Sequence, residues 1–309
     1  MEMLKRERPI NFERDGCLLN NLKIAAILGL MILLFSIIVP KLLWNYKRNS
    51  NLTTFQQNNL SYQELGRLSD VRIIVLVDNE PSKSNMELKA AWGISLYVKA
   101  RDVSFLFDTG PSPEVLEHNC RVLGVDLSNI SFVFISHEHG DHTGGLPYIA
   151  KMAPNVPVYV PSGMSHSALR RIEDLGLNVI EVEGPLQILE GVASTGPLMS
   201  GSLAEHGLIL NLQGKGMVLL VGCAHPGVDR MLLNATIFSE NIFGVIGGFH
   251  LTGASETRLE QIAKVFKDLN LRLIVPLHCS GKKAKDFFKE RFAEAYLDAQ
   301  TGSVIELDP

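Results

Sequence analysis

The sequence is poor in several features that would assign it to a class at once. It has four cysteines in 309 residues, at Cys17, Cys120, Cys223 and Cys279. They are too few and too scattered for the disulfide framework of a small secreted domain. It has no surplus of basic charge: 29 Lys and Arg stand against 33 Asp and Glu, a formal net charge of −4. That balance offers little to neutralise phosphates along a duplex, so no nucleic-acid partner is expected. There is no internal repeat and no low-complexity tract. What the chain does have is apolar material, 46% hydrophobic residues against 20% charged. This is enough for a sizeable core and does not describe a disordered chain.

The first fifty residues differ from the rest, with eight basic side chains against four acidic ones. Residues 24–39, IAAILGLMILLFSIIV, are uncharged. Leu22, Leu42, Leu43 and Trp44 extend the stretch to about the 20 residues that cross a bilayer. Lys23 and Lys41 can snorkel, and Trp44 and Tyr46 suit an interface. A cleaved signal peptide is the alternative, but VPKLLWNYKRN has no small-residue cleavage site. The expected organisation is therefore a basic tail at 1–21, a single-pass transmembrane anchor at 22–44, a polar linker at 45–70 and a catalytic domain at 71–309. Lys5, Arg6, Arg8, Arg14 and Lys23 precede the span, and Lys41, Lys47 and Arg48 follow it. This bias favours a cytoplasmic N-terminus, with the catalytic domain on the non-cytoplasmic side and the lipid bilayer as a partner.

After Asp70 the pattern is α/β: short β-branched runs separated by Gly, Pro and Asp, with helical periods between them. Strands are expected at 72–77, 93–99, 103–107, 132–136, 156–160, 208–212, 217–221, 243–246, 272–275 and 303–307. The clearest helices fall at 113–123, 165–175, 228–238, 256–269 and 282–292. The stretch from Gly184 to His206 is long and poor in recognisable elements, and is expected to face the substrate.

Chemistry enters with the histidines. Three of the nine lie within six residues, in FVFISHEHGDHTGG, where an apolar strand runs into a loop bearing His137, His139, Asp141 and His142. Alternate residues on an extended segment project to one side, so His137 and His139 can grip one cation while Asp141 and His142 face a second. Neutral imidazole and carboxylate suit Zn²⁺, and also accept Fe or Mn. Two such cations could share a bridging hydroxide. His118, His166 and His206 read as surface or satisfied core residues, His206 being the likeliest exception. Cys279 reads as a packed thiol.

The segment HEHGDH matches the H-x-H-x-D-H signature of the metallo-β-lactamase superfamily. LFDTG at 106–110, GCAHPG at 222–227, GGFHL at 247–251 and PLHCSG at 276–281 resemble the same superfamily, in order. With Val77, Asp78 and Asn79, they resemble most its dihydropterin-ribofuranosylaminobenzene phosphate synthase branch. The resemblance implies an αββα sandwich with a dinuclear metal centre at one edge. It implies His137 and His139 on metal one, and Asp141, His142 and His278 on metal two. Many relatives place a bridging aspartate where this chain has Cys223. His225 is expected as the remaining metal-one ligand, with Cys223 a further ligand or only a small residue at a crowded turn. His250 is expected to complete the site or to meet the substrate as a catalytic residue, and Asp108 to fix a ligand's tautomer from behind.

The expected function is that of a membrane-anchored metal-dependent hydrolase. It would use a metal-bound hydroxide, oriented by Asp141, on a small-molecule ester, lactone, thioester or phosphoester. The alternatives are a pterin-type synthase or a metal-binding sensor without turnover. Substrate and oligomeric state are not encoded in these motifs.

Overall fold

The computed structural model describes residues 65–308 apart from residue 102. The expected membrane anchor at 22–44 lies outside the described residues. The single-pass membrane placement is corrected, because no helix among the described residues is long and apolar enough to cross a membrane.

The first half of the described chain supplies β1 (Val71–Val77), β2 (Ser95–Ala100), β3 (Val103–Phe107), β4 (Val133–Phe134), β5 (Pro157–Pro161) and β6 (Asn178–Val182). The second half supplies β7 (Leu186–Leu189), β8 (Val192–Ser194), β9 (Leu198–Ser200), β10 (Leu203–Glu205), β11 (Leu208–Leu212), β12 (Gly216–Val221), β13 (Ile242–Gly248), β14 (Leu273–Leu277) and β15 (Val304–Leu307). One seven-stranded sheet runs β15-β1-β2-β3-β4-β5-β6, and a six-stranded sheet runs β14-β13-β12-β11-β8-β7. Each sheet is antiparallel through its hairpins and parallel where helices cross over, at β3-β4-β5-β6 and at β12-β13-β14.

Side-chain alternation explains why two sheets stack between helices. On β12, Met217, Leu219 and Val221 join the apolar cluster under the helices Val228–Ala235 and Glu256–Asp268. Val218 and Leu220 point the other way, into the layer between the sheets. On β3, Phe105 and Phe107 enter that same layer while Leu106 faces the helix Pro113–Leu123. Strands buried on both faces read as continuous apolar runs, and for that reason VLLV and VSFLF were legible as strands. The result is the αββα sandwich. Helix starts follow local chemistry: Ser112, Ser165 and Ser255 each accept a backbone N–H of the first turn, a contribution of about 1 kcal/mol apiece.

Two expectations change. Strand β6 was not read from sequence, since its residues are only half-buried and lack a clean alternation. The stretch Gly184 to His206 is not irregular but forms β7 to β10, strands of three or four residues, too short to show a period.

His206 takes a structural place. Its ring stacks on Phe134 with centroids 4.0 Å apart. Nε2–H donates to the Ile135 carbonyl at 2.9 Å, and Nδ1 accepts from Ser194 Oγ at 2.9 Å. Burial holds this ring neutral and pushes its pKa down from 6.5 to about 3. The unfolded chain takes up a proton there that the folded chain refuses. Stability therefore falls as the pH drops from 6.5 towards 3, by about 1.4 kcal/mol per pH unit from this group. His206→Gln keeps a donor for Ile135 without titrating. It should flatten the pH dependence of the unfolding free energy between roughly pH 6 and pH 4 by about one proton, read from urea unfolding at each pH; an unchanged slope would refute the assignment.

Candidate metal centre

The carboxyl ends of neighbouring strands converge on one edge of the sandwich, where ligands bind in open α/β sheets. Asp78 and Asn79 follow β1, Asp108 follows β3, and residues 136–142 follow β4. Cys223 and His225 follow β12, His250 follows β13, and His278 opens the turn after β14. Eight non-glycine residues among those described have a left-handed backbone, and four of them are Asp108, Ala224, His250 and His278. Each such position costs about 1–2 kcal/mol and persists where packing over-determines it. Gly222 is demanded by crowding, for a Cβ there would collide with Ser136 Oγ and lie 3.0 Å from Asp108 Oδ2.

Two triads of ligand atoms form, each within 4.8 Å of one another: His137, His139 and His225 in one, Asp141, His142 and His278 in the other. Cys223 groups with His137 and His142, between the two, and its Sγ lies 3.3 Å from His142 Nε2. The six residues expected from sequence as metal ligands are thus brought together, with Cys223 where the resemblance puts a bridging acid. His250 joins neither triad. It groups with Cys223 and Cys279, its ring 4.5 Å from that of His225. His166 is exposed and His118 half-buried against the Glu87 carbonyl, and neither joins these groups.

Each buried imidazole is turned by a hydrogen bond from behind. His142 Nδ1–H donates to Asp108 Oδ2 at 2.6 Å. His225 Nδ1–H donates to Glu205 Oε2 at 2.8 Å, and His278 Nδ1–H to Asn79 Oδ1 at 2.9 Å. His137 Nδ1–H donates to Ser136 Oγ at 2.9 Å, whose own hydroxyl donates to Asp108 Oδ2 at 2.7 Å. With the protons on Nδ1, the Nε2 lone pairs of all four rings point inward. Asp108 has the place expected of it. Glu205 was not singled out from sequence: it sits in the segment read as a loop, and a lone glutamate carries no signal. It accepts the N–H groups of Cys223, Ala224 and His225 at 2.9, 2.7 and 2.8 Å as well as the His225 ring.

The electrostatics suit cations. Burial and the neighbouring rings of His142, His225 and His139 hold His137 well below its ordinary pKa, so it stays neutral. Burial would raise Glu205, but the hydrogen bonds from the His225 ring and the backbone N–H groups outweigh it and hold the carboxyl below its ordinary range. At Asp141 burial is likewise outweighed, by His278 and His142, and its pKa is lowered.

The donor set also passes a direct test of fit. His278 Nε2 is buried without a hydrogen-bond partner. Asp141 Oδ2 lies 3.2 Å from it, off the direction an N–H would take. A bare imidazole lone pair and a carboxylate oxygen aimed at one point suit a divalent cation. Trp92, 59% exposed, stands edge-on to the His278 ring at 5.0 Å and lines the mouth; one tryptophan in a turn carried no sequence signal. A separate groove of about 590 Å³, lined by Pro111, Gly140, Thr143, Met164 and Arg171 among others, touches only the back of the loop and none of the triad side chains.

An αββα sandwich with paired histidine and carboxylate triads at the strand ends defines a metal-binding class. The chain belongs to the metallo-beta-lactamase superfamily, whose family model matches residues 94–276. It is 26% identical over 290 residues to the 7,8-dihydropterin-6-methyl-4-(beta-D-ribofuranosyl)-aminobenzene-5'-phosphate synthase of Methanocaldococcus jannaschii, covering 78% of this chain and 98% of that one. A solved metal-dependent hydrolase of the beta-lactamase superfamily superposes with a TM-score of 0.65 at 28% identity, over 77% of this chain and all of that one. A metallo-beta-lactamase fold protein from Bacillus subtilis shares the fold with a TM-score of 0.57 at 14% identity, over 77% of this chain and 100% of that one.

Residues that orient metal-binding rings typically contribute 10–100-fold in metal affinity. Glu205→Gln and Asp108→Asn should each weaken metal binding by about that factor without abolishing it, as measured by competition with a chromophoric chelator. Unchanged affinity in both would remove their orienting role.

Proposed function

We propose that the protein is a metal-dependent hydrolase that cleaves an ester, lactone, thioester or phosphoester at this centre. Its ligands would be His137, His139 and His225 for one cation, and Asp141, His142 and His278 for the other. The observation that carries the reading is the inward convergence of four Nε2 lone pairs, one of them buried and without a partner. Five imidazoles and a carboxylate suit zinc, and iron or manganese fit the same set. Two divalent cations held there would acidify a water molecule and polarise the oxygen of the bond to be cut.

The chain's own groups supply the rest. Asp141 stays ionised at the partly open rim, where its carboxylate can accept a hydrogen bond from attacking water and orient it. Asp108, Glu205 and Asn79 keep the rings from turning while charge changes in front of them. Trp92 presents an apolar face to a substrate beside the second triad. The solved hydrolase of the same superfamily, at 28% identity, supports this reading.

A second reading, a pterin-type synthase, is favoured by the 26% identity to the archaeally sourced protein named as one. Chelator-stripped full-length protein should be inert on a panel of the four bond types and regain turnover with zinc, while His139→Ala stays at the level of the stripped protein. Turnover indifferent to stripping would sink the hydrolase reading. Formation of a coupled product from a dihydropterin and a ribofuranosyl-aminobenzene phosphate, with the panel untouched, would select the synthase. Within the hydrolase reading, Trp92→Ala should raise KM several-fold with little change in kcat, since it touches substrate and not the reacting atoms; a fall in kcat alone would contradict that placement.

A further inference from the structure

Cys279 and His250 have no task in the proposed reaction, yet they meet at one point. With Cys223 they arrive there from three adjacent parallel strands. Val221 pairs with Gly247, and Gly248 pairs with Leu277, so the turns that follow the three strands leave the sheet side by side. The turn after β12 then delivers Cys223, the one after β13 delivers His250, and the one after β14 delivers Cys279. Their two sulfurs and one ring nitrogen lie within 4.8 Å of one another.

Local structure holds this convergence in place. Gly248 leaves the space in which the sulfurs meet, because a Cβ there would lie 2.8 Å from Cys279 Sγ and 3.3 Å from Cys223 Cα. His250 has a left-handed backbone, which costs energy for a non-glycine residue. The Leu251 N–H and the Thr252 hydroxyl both donate to the Cys279 carbonyl at 3.1 Å, tying the His250 loop to the Cys279 turn. Both cysteines are buried and His250 is exposed. Two packed thiols alone would need no imidazole held in a strained backbone beside them.

We propose that Cys223, Cys279 and His250 form a third cation site for a thiophilic metal ion, sharing the Cys223 sulfur with the dinuclear cradle. Two sulfurs and one imidazole are a softer set than either triad and suit Zn²⁺, Cd²⁺ or Cu⁺ over Mg²⁺ or Mn²⁺. Three protein ligands with an exposed imidazole leave a fourth position open to solvent, the arrangement of an exchangeable site and not of a closed structural one. Because Cys223 belongs to both clusters, filling the third site draws on the sulfur that lies between the two triads.

The site goes beyond the hydrolase reading and is tested without activity. Reduced, chelator-stripped full-length protein is titrated with Cd²⁺, following bound metal and the ultraviolet absorption of sulfur-to-cadmium charge transfer. The wild type should take up three equivalents. Cys279→Ser should lose one of them, together with the part of the absorption that Cys279 supplies. His250→Gln, at an exposed position, should weaken the same equivalent and serves if Cys279→Ser does not fold. Equal uptake and equal absorption in wild type and variants would overturn the proposal. So would a Cys223–Cys279 disulfide in metal-free protein without a third equivalent, which would make the pair a redox couple instead. Failure of the two-triad reading is distinguishable: the nitrogen-bound equivalents would be absent while the sulfur absorption remained.

Discussion

The centre depends on the commitment of each buried imidazole's N–H to an acceptor behind it. Asp108, Glu205, Asn79 and Ser136 each take one such proton. A neutral ring has one donor and one acceptor, so fixing the donor at Nδ1 leaves Nε2 as a lone pair whose direction the protein has chosen. Without those acceptors the rings would be free to turn, and burial alone would merely keep them neutral. Geometry and protonation state are therefore set by the same four contacts. The carboxylates behind the rings are themselves met: Glu205 by three backbone N–H groups and His225, which outweigh its burial, and Asp108 by Ser136 and His142, although burial still pushes its carboxyl up.

The fold makes these contacts possible by ending its parallel strands together. β3 and β4, and β12, β13 and β14, run alongside parallel partners, and β1, two strands from β3, runs the same way as it does, so their final residues emerge at one edge. The apolar layer between the sheets, with Phe107 stacked on Phe134 at 5.6 Å, anchors β3 and β4 immediately before Asp108 and the HEHGDH loop. Packing of this density does not deform continuously. That rigidity allows Asp108, Ala224, His250 and His278 to hold left-handed backbones without glycine. Strain concentrated at the strand ends is thus a product of core packing, expressed where the ligands sit.

How much of this was legible in the sequence divides along physical lines. Central strands buried on both faces announce themselves by apolar runs, uninterrupted in VLLV and broken only at Ser104 in VSFLF, and the HEHGDH loop by an improbable density of ligands. The half-buried edge strand β6 does not, and β7 to β10 went unread because three or four residues are too few to show a period. Single residues whose meaning lies in long-range contact were also invisible. Glu205 and His225 are separated by 20 positions, and Asn79 and His278 by 199. His206 illustrates the converse: it reads from the sequence as a surface or satisfied core histidine, and both ring nitrogens are bonded within the core.

The substitution of a thiol for a bridging acid gives the centre its individual character. Relatives that place an aspartate between the metals offer hard oxygen there, which accommodates manganese and iron as readily as zinc. Cys223 offers sulfur, whose bond to zinc is about 2.3 Å against 2.0–2.2 Å for carboxylate oxygen, so the same cradle must be slightly wider or less symmetric. The turn that carries it is fixed by Glu205 through three consecutive N–H groups, and the sulfur cannot retreat without disturbing His225 two residues on. In the proposed centre, a softer donor held that firmly would favour zinc. In the proposed centre, the triad of Asp141, His142 and His278 and the softer cluster around Cys223 would then differ in the cations they prefer, although they are neighbours. Selectivity at this centre follows from ligand chemistry at one position and from the rigidity of the turn that presents it.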